Sequence, residues 1–191
     1  MAQMLLKSFR EKTGADEAEL EICQRFFVSG SLKKKQFLLR EGEVCNRLAF
    51  VEKGALFSYS TTAKGAQNVI QFAFEGWWIA DLYSFFTQEP SKLTIEALED
   101  SELYLIDRHN HQQLLATLPK YETYTRLLYQ NAYIALQRRL ESTIGLSAEE
   151  KYRRLLEQYP ELLHRMPLQL IASYLGVTPE TLSRIRKQIA S

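Results

Sequence analysis

Over residues 120–144 the sequence contains neither glycine nor proline, while Leu, Ala, Arg and Gln crowd the run. An uninterrupted stretch of good helix formers reads as one helix, which at 1.5 Å per residue is roughly 37 Å long, more than a small domain is wide. The rest of the chain must be organised around that rod. Its apolar residues cover more than one stripe: Tyr121, Leu128 and Ala135 recur at sevenfold spacing, and Tyr129, Tyr133, Leu136 and Leu140 follow a second line. One stripe can pack on the rest of the chain. The other asks for a partner, most economically a second copy in a two-helix coiled coil; burial of both inside the monomer is the alternative. Gly145 ends the rod, and Ser147 with Glu150 forms a capping box that opens another helix over residues 147–159.

Ahead of Pro119 the pattern differs. After a helical opening over residues 1–27, short alternating segments at 36–40, 47–52, 55–60, 67–74, 93–98 and 103–106 read as strands. Gly42, Lys53-Gly54, Ala63-Lys64-Gly65, Glu75-Gly76 and Glu89-Pro90-Ser91 separate them with turn chemistry. Evenly spaced short strands indicate an antiparallel sandwich, roll or barrel. Asp107 is the expected N-cap of a helix over residues 108–118.

Charge sharpens this division. The whole chain has 24 Lys and Arg against 23 Asp and Glu, a net +1, which gives no overall attraction to nucleic acid. By region the balance is −3 over residues 1–118, +2 over 119–146 and +2 over 147–191. An acidic front and a mildly basic tail fit a regulatory body joined to something that touches a polyanion. No run approaches the roughly 20 apolar residues that span a bilayer, and residues 1–10 resemble neither a signal peptide nor an anchor. Cys23 and Cys45, a single pair, suit a reducing cytoplasm better than a disulfide scaffold.

The most informative stretch is residues 167–189. Pro167 suits the first turn of a helix, Gly176 can close it in the left-handed conformation, and Thr178 caps a second helix with Pro179 in its first turn. Two helices joined so tightly must cross steeply, and Ala172 supplies the small residue at the crossing. Leu168, Ile171 and Leu175 form the expected buried face of the first helix, and Leu182, Ile185 and Ile189 that of the second. The opposite face carries Glu180, Ser183, Arg184 and Lys187. This is a helix-turn-helix pattern whose second helix can enter a major groove. Arg184 could reach guanine acceptors and Glu180 a cytosine amino group; Thr178, Thr181, Ser183, Arg186 and Lys187 are candidates for phosphate. A plain helical hairpin with a solvated charged face is the alternative.

A β-rich body, a long linking helix and a terminal helix-turn-helix in this order resemble the Crp/Fnr family of bacterial transcription regulators, over residues 30–189. Leu39-Arg-Glu-Gly42 and Phe50-Val-Glu-Lys-Gly-Ala55 look like that family's glycine turns, and Gly76-Trp-Trp-Ile-Ala-Asp-Leu82 like the start of its phosphate-binding cassette. The stretch Thr178-Pro-Glu-Thr-Leu-Ser-Arg184 resembles the start of its recognition helix, with Glu180 and Arg184 as the base-reading pair. The resemblance implies an α+β chain: an antiparallel β-roll of the cyclic-nucleotide-binding type over 1–118, a linking and dimerisation helix over 119–146, and a DNA-binding domain over 147–191. It implies a cytoplasmic homodimer, double-stranded DNA and RNA polymerase as partners, and a palindromic site read by two helices about 34–36 Å apart.

The effector site departs from the family. Its cyclic-nucleotide binders carry Gly-Glu followed by Arg-Ser or Arg-Thr; the matching positions here read Ala80-Asp81 and Ser91-Lys92. Lysine is a compact point charge where arginine offers a planar fork for two phosphate oxygens, and Ala80 adds a methyl group where backbone should approach a ligand. Cyclic AMP in the usual mode is therefore not expected, and Trp77, Trp78, Tyr83, Phe85 and Phe86 lie close enough in sequence to plug the pocket. Two cysteines cannot hold the iron–sulfur cluster of the family's oxygen sensors, and a haem ligand would have to come from His109, His111 or His164. His109-Asn-His111 also resembles metal-binding jelly-roll enzymes, but it follows a helix cap and lacks their carboxylate, so a surface histidine pair is expected and no metal. No nucleophile–base set or phosphate-cradling loop points to an enzyme. The sequence stops at Ser191, ahead of the wing hairpin that family members carry. The expectation is weaker DNA binding, or more dependence on both halves of a dimer. A ligand-binding or interaction module of the same fold, without DNA binding, is the alternative function.

Overall fold

The computed structural model describes residues 2–160 and 162–190. Gly14, at φ +65°, stops the opening helix after Thr13, and Asp16 starts another. The opening is thus two helices where the sequence reading had one, α1 (Gln3–Thr13) and α2 (Glu17–Gln24); Met1 lies outside the described residues. Asp16 and Glu19 form a reciprocal capping box, each side chain accepting the other's backbone N–H at 2.9 Å. The free N–H groups at the start of α1 find a carboxylate from elsewhere: Glu52 accepts from Met4 at 2.8 Å and from Leu5 at 3.3 Å.

Among the described residues eight strands follow: β1 (Val28–Leu32), β2 (Phe37–Leu39), β3 (Arg47–Lys53), β4 (Leu56–Thr61), β5 (Gln67–Ala73), β6 (Trp78–Ile79), β7 (Thr94–Ala97) and β8 (Ser101–Asp107). They make two four-stranded sheets, ordered β1-β8-β3-β6 and β2-β7-β4-β5, and the registered pairs are antiparallel. Every segment read as a strand is one, within a few residues. The sequence reading missed β1, whose Val-Ser-Gly-Ser-Leu is an exposed, polar edge, and the two-residue β6. Gly54 (φ +92°) is obligatory between β3 and β4, because a Cβ there would stand 2.4 Å from Ser101 Oγ.

Among the described residues, α3 (Leu82–Thr87), α4 (Arg108–Thr117), α5 (Pro119–Gly145) and α6 (Ala148–Gln158) join the two helices already named, with α7 (Leu168–Leu175) and α8 (Pro179–Ala190) closing the tail. Asp107 caps α4 through Asn110 N–H at 2.8 Å, and Ser147 with Glu150 forms the capping box of α6.

The chain divides into two compact units, Met1–Ser60 with Ile70–Tyr129, and Thr61–Val69 with Gln130–Ser191. In the first, Leu5, Phe9, Phe50, Ile79, Phe85, Ile95, Leu103, Ile106, Leu114, Tyr121 and Tyr124 build a continuous core. Phe9 sits edge-on to Tyr124, with ring centroids 5.4 Å apart, so α1 and the start of α5 share one aromatic cluster. Truncating Phe9 to Ala would remove that filling and destabilise by about 3–5 kcal/mol. In the second unit, Tyr152, Leu155, Met166, Ile171, Ala172, Leu175, Leu182 and Ile185 are buried.

Candidate functional site

The cassette position lies in the first unit. Asp81 follows β6 and caps α3, its Oδ1 accepting from Ser84 N–H at 3.2 Å. Its other oxygen accepts from Ser91 Oγ at 2.6 Å. Ser91 in turn is tied to the Gly42 turn by two backbone bonds: its carbonyl accepts from Gly42, and its N–H donates to the Glu43 carbonyl, both at 2.8 Å. Ser84 donates to the Glu89 carbonyl at 2.6 Å and accepts from Cys45 N–H at 2.9 Å. Asp81, Ser84 and Ser91 are all buried.

The structure therefore brings Asp81 and Ser91 together and leaves Lys92 exposed, with Ala80 half-buried beside them. Asp81 is the acidic side chain among these buried residues, and its partner is the Ser91 hydroxyl rather than a basic group. The Asp-x-x-Ser spacing of Asp81 and Ser84 is a helix-cap signal, which the reading of Asp81 as an effector residue passed over. Of the five aromatics proposed to plug the pocket, Phe85 is fully buried, Trp77 and Trp78 are half-buried, and Tyr83 and Phe86 are exposed at 59% and 51%. Tyr83 and Phe86 therefore do not plug it: they lie on the outer side of α3, Tyr83 donating to Glu89 at 2.6 Å.

The histidine pair needs correction. His109 is exposed as expected, but His111 is 2% exposed, one turn before Leu114 on the inward side of α4. Its Nδ1 lies 2.9 Å from the Tyr121 hydroxyl and its Nε2 3.5 Å from that of Tyr129, while Phe85 meets the ring edge-on at 5.7 Å. Tyrosines engage both ring nitrogens.

The second candidate surface is the tail. Gly176 is left-handed at φ +72° and its N–H returns to the Ser173 carbonyl, while Val177 N–H reaches Ala172. Thr178 Oγ1 accepts from Thr181 N–H at 3.2 Å and so caps α8. Ala172 and Leu182 are fully buried at the crossing, with Ile171, Leu175 and Ile185 beside them; Leu168 and Ile189 are half-buried. Glu180, Arg184, Arg186 and Lys187 are exposed on α8, Thr178 is exposed at its start, and Thr181 and Ser183 are half-buried. The Glu180 carboxyl is held below the ordinary carboxylate range by hydrogen bonds from its own backbone N–H and then from the Thr178 hydroxyl, so it is ionised at neutral pH. This leaves an acceptor one turn from a guanidinium on an open helix face.

On α5, Tyr121, Tyr124 and Thr125 are buried, whereas Tyr133, Leu136, Leu140 and Ile144 are 68%, 64%, 60% and 80% exposed. These four follow a spacing of three and four residues along one line of the helix. No helix of the described residues is long and apolar enough to cross a membrane.

Residues 30–118 match the family model of the cyclic nucleotide-binding domain. No curated protein matches the chain in sequence. Among solved structures, the chain is similar to FixK2 from Bradyrhizobium japonicum, at 20% identity and a TM-score of 0.74, covering 86% of this chain and 84% of that one. A putative transcriptional regulator of the Crp/Fnr family from Eubacterium rectale aligns at 18% identity and a TM-score of 0.68, over 93% and 84% of the two chains. The c-di-GMP responsive global regulator CLP of Xanthomonas campestris aligns at 17% identity and the same TM-score of 0.68, over 92% of each. At these identities the likeness establishes the fold: an antiparallel β-roll of the cyclic-nucleotide-binding type, a long helix and C-terminal helices.

Proposed function

We propose that the chain is a cytoplasmic, non-enzymatic DNA-binding transcription regulator of the Crp/Fnr type. Two copies pair along the Tyr133, Leu136, Leu140 and Ile144 line of α5, and each lays α8 in a major groove of a palindromic site. Arg184 and Glu180 read base edges; Thr178, Thr181, Ser183, Arg186 and Lys187 meet phosphates and fix register. RNA polymerase is the onward partner. The observation that carries this reading is the two-sidedness of α8, where Leu182 and Ile185 are buried while Glu180, Arg184, Arg186 and Lys187 stand open.

The cassette is proposed to run without a cyclic nucleotide. Asp81 and Ser91 satisfy each other, so a cyclic phosphate would have to break that bond and then face the carboxylate it exposes.

Selection of bound duplexes from a random pool, followed by affinity measurement on the winner, tests the DNA assignment. Arg184→Ala is expected to lose about 1–3 kcal/mol at one base step and to relax preference there. If the variant binds selected and random duplexes as the parent does, Arg184 reads no base. If the parent has no affinity for mixed duplex even at low salt, the fold serves ligand or protein binding instead.

A further inference from the structure

Ser173 and Arg139 belong to no motif in the sequence, yet both close on one residue of a distant hairpin. Within the second unit, Val69 N–H donates to Ser173 Oγ at 2.9 Å, and that hydroxyl donates onward to the Gln67 carbonyl at 2.6 Å. The carbonyl of the same Val69 accepts from Arg139 Nη2 at 2.9 Å. Arg139 also reaches the Tyr174 carbonyl at 3.5 Å and lays its guanidinium 4.3 Å above the Tyr174 ring. Both backbone polar groups of Val69 are thus held by side chains far away in sequence, one from α5 and one from α7. The hairpin that carries Val69 is itself tightly turned: Thr62 N–H reaches Ala66, Gly65 N–H reaches Thr62, and Thr62 Oγ1 accepts from Ala66 N–H.

We propose that this three-way clasp fixes the direction in which α8 is presented, making the Thr61–Val69 hairpin a working part of the DNA-reading unit. The inference rests on the DNA-reading proposal above. Ser173 lies in the last turn of α7, and α7 is packed to α8 through buried Ala172, Leu175, Leu182 and Ile185. A hold on Ser173 is therefore a hold on α8. The clasp leaves Glu180, Arg184, Arg186 and Lys187 exposed, so the clasped arrangement is competent to read and the hold is a preorganising one. The chemistry is specific. A hydroxyl can accept from one backbone group and donate to the next, which alanine cannot do. Arginine's plane can stack and donate at once, which lysine cannot.

The test uses the full chain as wild type, Ser173→Ala, Ser173→Thr and Arg139→Lys, read by amide exchange at Val69 and by affinity for a selected duplex. With helical signal unchanged, Ser173→Ala should exchange the Val69 amide about three- to tenfold faster, the span one lost hydrogen bond covers. Duplex affinity should fall by a similar factor with base preference intact. Ser173→Thr should restore both, and Arg139→Lys should weaken duplex binding in the same direction. Unchanged exchange in Ser173→Ala would overturn the clasp. Faster exchange with unchanged or tighter duplex binding would overturn its orienting role. Should the wild type itself bind no duplex, the DNA reading and the orienting role fall together, while the exchange result still decides whether the hairpin is tied to α7.

Discussion

His111 stands where α3, α4 and α5 meet, enclosed by Phe85, Tyr121 and Tyr129. Burial pulls its pKa below the ordinary 6.5, because a charged imidazolium there would lose water. The titratable groups around it carry no compensating charge at neutral pH. Tyr121 is raised well above its usual value by burial, Tyr129 is pushed up to about 12, and Cys23, which bears on Tyr121, is likewise raised to about 12. Below 6.5 the unfolded chain takes up a proton on this residue that the folded chain refuses, so stability rises with pH through that window and falls as pH drops. Denaturant midpoints measured from pH 5 to 7 should show that slope. His111→Gln, which keeps a polar partner for the Tyr121 hydroxyl but does not titrate, should flatten it. An unchanged slope in the variant would place the proton elsewhere. The sequence reading placed His111 on the surface, passing over its three-residue spacing from Leu114, which sets both on the inward side of α4. What was not legible is the partner. Only the fold brings the Tyr121 hydroxyl within 2.9 Å of the ring and makes a buried histidine tolerable.

At the scale of elements, α5 carries the sharpest contrast. Its first turns bury Tyr121, Tyr124 and Thr125, while Tyr133, Leu136, Leu140 and Ile144 open to solvent further along. An apolar line of that kind on a helix is unfavourable in water unless covered, and a second copy of the same helix is the covering the proposed dimer supplies. Leu140→Glu places a charge in the seam and should convert the dimer to monomer in sedimentation at micromolar concentration, with helix content unchanged. Affinity for a palindromic duplex should drop by more than tenfold, since two linked contacts become one. A variant that still sediments as a dimer would move the interface off this line. Most strands, the helices from α4 onward and the α7–α8 turn were readable because their signals are local, caps, glycines and periodicity, whereas the break between α1 and α2 and the short α3 were passed over. The Val69 clasp was not readable, because Gln67, Arg139 and Ser173 lie in three separate elements and no local pattern links them. The cassette was half readable. Its departure from Gly-Glu and Arg-Ser was visible, whereas the way Asp81 and Ser91 satisfy each other needed the two loops side by side.

At the scale of the whole molecule, the question is what a ligand could do to it. A ligand shifts an equilibrium only by its differential affinity for the states involved, and one that binds only the folded chain raises stability with the logarithm of its concentration relative to its Kd. In the proposed reading the cassette of this chain is held without one. Asp81 is engaged by Ser84 and Ser91, Ser91 by Gly42 and Glu43, and Ser84 by Cys45 and Glu89. These bonds join α3, the turn after β2 and the loop before β7, so in the proposed reading the chain's own side-chain and backbone hydrogen bonds do the work that a bound anion would do in tying those segments together. Cyclic AMP, cyclic GMP and c-di-GMP at millimolar concentration should accordingly leave both the melting temperature and duplex affinity unchanged. A nucleotide present at a hundred times its Kd would add about 2.7 kcal/mol, which for a chain of this size is a rise of roughly 5–10 °C, so the experiment has ample resolution. Asp81→Ala supplies the converse arm. Removing the carboxylate leaves Ser84 N–H uncapped and leaves Ser91 Oγ only the longer bond to the Leu93 carbonyl at 3.0 Å, so the melting temperature should fall, by the several degrees that about 1–2 kcal/mol represents. If a nucleotide raises the wild-type melting temperature by several degrees, the Asp81–Ser91 bond opens readily, and the cassette is a working receptor.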